Sequence, residues 1–141
     1  MIEPKYKLTE DTINVNGRTL HRIESLKDFG DVKKGIKGGY VENESNLSQN
    51  GDCWVSDDAK VYGDAKVYDN AKISRIDDYL VFKNWWSSGR YFTWTKSNNM
   101  WKVGCFYGTG KELIEKAYGD SEVSGREYER VVKYVESIIG K

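Results

Sequence analysis

A six-residue period runs through residues 49–78, and it limits the fold more than any other feature of the 141-residue chain. Written in sixes, the stretch is QNGDCW, VSDDAK, VYGDAK, VYDNAK, ISRIDD. The first column holds Val55, Val61, Val67 and Ile73, and the fifth holds the small residues Cys53, Ala59, Ala65 and Ala71. Between them stand Asp57-Asp58, Gly63-Asp64 and Asp69-Asn70, residue types that accept the left-handed backbone of tight turns. A helix repeats every ~3.6 residues and a strand every ~2, so neither accounts for this period. A face that returns every sixth residue must turn after each short strand, with the aliphatic residue inward and the small one at the bend. Extending the fifth column backwards adds Leu47 and Val41, so a degenerate repeat is expected to begin near Tyr40.

On the N-terminal side, TINVNGRTLHRI (12–23) predicts a β-hairpin, because Asn16-Gly17 suits a two-residue type I′ turn. A short helical turn over Ser25–Phe29 and a loop over KKGIKGG (33–39) are expected next. On the C-terminal side, DYLVFK (78–83), RYFTWTK (90–96) and MWKVGCFY (100–107) read as three antiparallel strands. Thr109-Gly110-Lys111-Glu112 and Ser124-Gly125-Arg126-Glu127 are capping boxes that open two helices. The second helix carries Tyr128, Val131, Val132, Val135, Ile138 and Ile139 as an apolar stripe. The expected fold class is α+β. It comprises a hairpin cap over 1–39, the repeat over 40–76, and a three-stranded sheet covered by two helices over 77–141.

GRTLHRI, DFGDVKKG, GGYVENESNLSQNGDCWV and the VYGDAKVY hexads resemble small prophage-encoded hexapeptide-repeat proteins of Gram-positive bacteria. YLVF, GCFYGTGKELIEKAYGD and the final amphipathic helix resemble the C-terminal domain such proteins often carry. The resemblance covers nearly the whole chain and is strongest in the central hexads. It departs in length, since such proteins often carry more hexads. It implies a short left-handed β-helix of about two coils, with three hexads to each triangular coil. Residues about 18 apart would then stack, Val55 over Ile73 and Val41 over Ala59. Coils of this kind need caps, and the hairpin and the C-terminal piece are the natural ones.

Many hexapeptide-repeat proteins are acyltransferases that resemble one another in a catalytic histidine near a coil interface and in trimeric assembly. His21, the one histidine here, falls in the hairpin and outside every hexad. No nucleophile–base pair, P-loop or dinucleotide fingerprint is present, and GTGKE (108–112) reads as a helix cap. The expectation is therefore a non-enzyme without cofactor, with a degenerate acyltransferase as an alternative. Cys53 and Cys105 are 52 positions apart with no CxxC, so no zinc spacing exists, and both are expected as buried small hydrophobes. The Asp/Asn corners lack the GGxGxD pattern of calcium repeats and read as turn geometry. Lys plus Arg and Asp plus Glu both number 22, which removes any general attraction to polyphosphate or anionic lipid. Mean hydropathy is −0.72, no apolar run reaches membrane-spanning length, and the N-terminus has no signal-type apolar stretch. A cytoplasmic location in a host bacterial cell, with no membrane partner, is expected.

Two surfaces stand out. Lys60, Lys66 and Lys72, with Tyr62 and Tyr68, are expected to project from the repeat and keep its faces soluble. Residues 79–107 contain ten aromatics, more than one sheet face can hide. Strand alternation places Arg90, Phe92, Trp94 and Lys96 on one face, next to Trp85 and Trp86 in a turn. Trp85, Trp86, Arg90, Phe92 and Trp94 are therefore the expected binding face, because Trp and Arg carry much of the energy of protein interfaces. The expected partner is a host protein or ribonucleoprotein complex. Given the prophage resemblance, the expected role is blockade of a host defence complex, as by an anti-CRISPR-like inhibitor. Single-stranded nucleic-acid binding is the alternative, but residues 77–141 carry ten basic and nine acidic residues, a net of only +1. Self-association to a dimer or trimer is also expected.

Overall fold

Asn16 and Gly17 adopt φ of 52° and 85°, the left-handed pair that a type I′ turn requires. They fold Tyr6–Val15 (β1) back on Arg18–Ser25 (β2), as the sequence predicts. The computed structural model describes residues 4–139. Among them are two four-stranded sheets, a two-stranded ladder and two α-helices, an α+β chain.

β2 pairs on its other edge with Lys37–Val41 (β3), antiparallel. The repeat adds Trp54–Val55 (β4), Lys60–Val61 (β5) and Lys72–Ile73 (β6). β3 pairs in parallel with β5, β4 with β6, and Leu47 bridges Val67 in the same sense. Val41 thus lies on Val61, Leu47 on Val67 and Val55 on Ile73, and all six are fully buried. Gly51, Asp57, Gly63 and Asp69, one per hexad, all have positive φ between 55° and 74°. The turns therefore use Gly and Asp for the reason the sequence suggested.

Two expectations need correction here. Val55 stacks on Ile73 as expected, but Val41 stacks on Val61 rather than on Ala59. Leu47 and Val41 also belong to the aliphatic column, not to the small-residue column. Both follow from the segment between Leu47 and Val55, which is two residues longer than a hexad. Its Gly51, at φ 74°, lies too close to the Asp69 backbone to accept a Cβ.

The expected helical turn over Ser25–Phe29 is absent. Phe29 instead pairs with Val32 across Gly30, because its ring is held edge-on to Trp54 at 5.3 Å. KKGIKGG is a loop only in its first half. Gly38 and Gly39 are buried in β3, against the carbonyls of Val55 and Ala59 respectively.

Tyr79–Lys83 (β7), Tyr91–Thr95 (β8), Met100–Val103 (β9) and Phe106–Gly108 (β10) form an antiparallel meander. Four strands replace the three expected, because Gly104, at φ 55°, turns the chain between Val103 and Phe106. Gly110–Asp120 (α1) opens on the expected capping box, Thr109 Oγ1 accepting from Glu112 N and Glu112 Oε1 from Thr109 N. Glu122–Ile139 (α2) starts ahead of the expected Ser124 cap, and Ser121 Oγ accepts from Ser124 N instead. Tyr128, Val132 and Val135 of its stripe are buried, whereas Ile138 and Ile139 are exposed beyond the core.

The helices cover one face of this sheet over Phe92, Trp94 and Trp101. The other face, with Thr93 and Thr95 buried, meets the repeat. Lys66 N donates to Thr93 Oγ1 at 3.0 Å, Lys72 N to Ser97 Oγ at 2.7 Å, and the Tyr79 hydroxyl to Lys60 O at 2.8 Å. The lysine face of the repeat is therefore partly covered. Tyr68 sits between Tyr107 and the Lys102 ammonium rather than facing open solvent.

Candidate functional site

Asn84 follows β7 and organises the turn that leads into β8. Its Oδ1 accepts from Trp86 N at 3.1 Å, Ser87 N at 2.9 Å and the Ser87 hydroxyl at 3.2 Å. Its Nδ2 donates to the Tyr128 hydroxyl at 3.4 Å, tying the turn to α2. Asn84 N donates to Arg90 O and Gly89 N to Asn84 O, closing the loop with Gly89 at φ 72°. One buried asparagine thus holds the whole 84–90 turn.

This turn sorts the aromatics. Trp85 is 72% exposed at its tip. Trp86 turns inward, donating from Nε1 to Ser124 Oγ at 3.2 Å and standing edge-on to Tyr128 at 4.9 Å. Phe92 and Trp94 are buried, so the expected five-residue face does not assemble. Alternation does put them on one side of β8, but α1 and α2 occupy that side. Trp85 and Arg90 remain exposed, with Trp86 half-buried beside them.

Arg90 opens onto a cavity of about 300 Å³ between the turn, the β9–β10 connection and the two helices. Its floor is apolar, from Val103, Phe106, Leu113 and Ala117. Lys116 and Asp120 of α1 and Tyr128 of α2 complete the polar wall. Lys116 Nζ is 3.8 Å from the Asp120 carboxylate. Arg90 has no acidic partner and no side-chain hydrogen bond among the described residues, and its guanidinium rests against Gly104. Burial raises the Tyr128 hydroxyl pKa, and the Asn84 amide and the Arg90 charge oppose part of that rise. Cys105 also lines the cavity and is exposed, against the expectation that both cysteines are buried. It occupies the turn made by Gly104, where a strand interior was expected.

Elsewhere, Cys53 is buried as expected, and burial raises its thiol pKa. Lys5 lies beside it, 1% exposed, donating to Gly51 O at 3.0 Å and Cys53 O at 2.8 Å. No sequence signal marks this lysine as a core residue. His21 lies on β2, half-buried, with Nδ1 3.1 Å from Thr9 O. No helix among the described residues is long and apolar enough to cross a membrane. Of the cavity-lining residues, sequence reasoning missed Asn84, Lys116, Asp120 and Tyr128 as neighbours of Arg90. The available signal was Asn84 followed by Ser87, an Asx-turn pattern.

No family model matches the chain. Over 38 residues, 27% of this chain, it is 42% identical to the uncharacterized acetyltransferase YdcK of Escherichia coli (strain K12). The match spans 12% of that protein's length.

Proposed function

We propose that the three parallel ladders are two turns of a left-handed β-helix, and that the protein acts by non-covalent recognition of a partner protein through the 84–90 turn. Trp85 carries this reading. A large aromatic 72% exposed on a turn held by a buried side chain is a binding anchor, because little ordering entropy is lost when it docks. Arg90 beside it supplies an unpaired charge. Blockade of a host defence complex in the bacterial cytoplasm is the specific role proposed, and dimer or trimer formation accompanies it. Single-stranded nucleic-acid binding needs successive exposed rings, and burial of Phe92 and Trp94 removes two of them. A pull-down from host lysate, with and without nuclease, tests the proposal. Expected is a partner retained after nuclease and lost on Trp85→Ala, whereas capture abolished by nuclease contradicts it. Light scattering that gives the 16.2 kDa monomer at high concentration contradicts self-association.

The similarity to an acetyltransferase favours acyl transfer as a second reading. If His21 Nδ1 donates to the Thr9 carbonyl, Nε2 keeps the lone pair that a general base uses.

A further inference from the structure

We propose that the cavity beside Arg90 binds a small monocarboxylate with an apolar body. The cavity, at about 300 Å³, lies at the lower end of ligand-pocket sizes and has room for roughly ten non-hydrogen atoms. Its floor of Val103, Phe106, Leu113 and Ala117 offers no hydrogen bond to a ligand and suits a hydrocarbon body. The charges around it do not cancel. Lys116 and Asp120 face each other at 3.8 Å, which leaves Arg90 as the uncompensated cation. A guanidinium presents a planar fork of donors that matches the two oxygens of a carboxylate. Its position is built into the chain: Gly104 leaves the space the guanidinium fills, and a Cβ there would collide with it.

The polar groups nearby are mostly committed. Asn84 Oδ1 and Nδ2 hold the turn and the Tyr128 hydroxyl. Ser88 Oγ accepts from Arg90 N, and Ser124 Oγ from Trp86 Nε1. Their hydroxyl hydrogens and that of Tyr128 are the remaining neutral donors, and Lys116, the other cation on the wall, faces Asp120, so the site adds donors and no second uncompensated cation. It therefore favours one negative charge over two. The proposal stands on the cavity and its charges and does not depend on protein recognition through Trp85, which the Trp85→Ala pull-down tests alone.

Sodium octanoate has the required size and charge, and octylammonium is its counterpart of opposite sign. The test is titration of the full chain with each, followed by amide NMR shifts. Octanoate is expected to give saturable shifts confined to Ser87, Ser88, Gly104 and Ser124, and octylammonium none. Arg90→Gln is expected to weaken octanoate at least tenfold, about the worth of a charged hydrogen-bond pair, and Arg90→Lys less. Asp120→Asn, which removes the one acidic group on the cavity wall, is expected to tighten it, an effect no purely structural loss would give. Equal binding of octylammonium, shifts elsewhere, unchanged affinity in a folded Arg90→Gln protein, or weaker binding by Asp120→Asn overturns the proposal.

Discussion

Among single residues, burial of Tyr79 against the Lys60 carbonyl contributes to the response of the protein to alkali. Its hydroxyl pKa rises from 10.0 to about 12, mainly because burial disfavours the phenolate. Between these values the unfolded chain releases a proton that the folded chain keeps, so the contribution of Tyr79 to stability is constant below pH 10 and falls from 10 toward 12. Tyr6, buried with its hydroxyl on Leu47 O, shifts in the same direction and adds to the fall. Tyr79→Phe is expected to lower stability at neutral pH by about 1 kcal/mol, the worth of one hydrogen bond. The same change should flatten the alkaline decline, as read by urea unfolding at neutral and alkaline pH. An alkaline slope equal to that of the wild type would contradict the assignment. The single-residue features differ in how far the sequence disclosed them. Val55, Val61, Val67 and Ile73 were legible as core because six-residue spacing repeats them, and all four are fully buried; Ala59, Ala65 and Ala71 were expected at the bends and are buried too. Lys5 was not legible as core, because its partners are carbonyls of Gly51 and Cys53, brought to it by tertiary pairing.

Elements were legible where local chemistry alone decides them. Asn16-Gly17 and the Thr109 capping box need no distant partner, and both formed as expected. β3 is the opposite case: its glycines read as loop residues, whereas the crowding of the repeat against them is what requires glycine. A Cβ on Gly38 would lie 2.5 Å from the Val55 carbonyl oxygen and 2.7 Å from both Trp54 and Ile23. Gly38→Ala is therefore expected to cost about 1–3 kcal/mol or more, lowering Tm by about 3 °C for each kcal/mol. Gly119, in α1, has nothing within 4 Å of the position a methyl group would take, and its φ is not positive. Gly119→Ala is expected to gain about 0.5–1 kcal/mol through helix propensity alone. Thermal melts of the two variants should move in opposite directions, and a Gly38→Ala protein as stable as the wild type would contradict close packing at β3. The register at the start of the repeat escapes the sequence for a related reason. Strict sixes counted backwards from Cys53 overrun the two extra residues between Leu47 and Val55, and every earlier pairing shifts.

For the whole molecule, the pieces were more legible than their arrangement. Alternation along β8 correctly paired Phe92 with Trp94 and Thr93 with Thr95, but it could not say which face the helices would take. The helices took the aromatic face, and the threonine face met the repeat, so Phe92 and Trp94 of the anticipated binding surface became core. Among the bonds that join the repeat and the C-terminal sheet is that from Lys66 N to Thr93 Oγ1, and Thr93 is 1% exposed. Thr93→Val leaves that N–H without its acceptor and is expected to cost about 1–3 kcal/mol, with Thr93→Ser retaining the bond. Urea midpoints check both variants, and an unchanged midpoint for Thr93→Val would show that the contact carries nothing. The proposed role is recognition of a partner without covalent chemistry, although the chain matches an acetyltransferase over 38 residues at 42% identity. Calorimetric titration of the full chain with acetyl-coenzyme A separates the two readings. Recognition alone predicts no saturable heat, whereas saturable binding that disappears on His21→Ala would contradict it and favour the acyl-transfer reading.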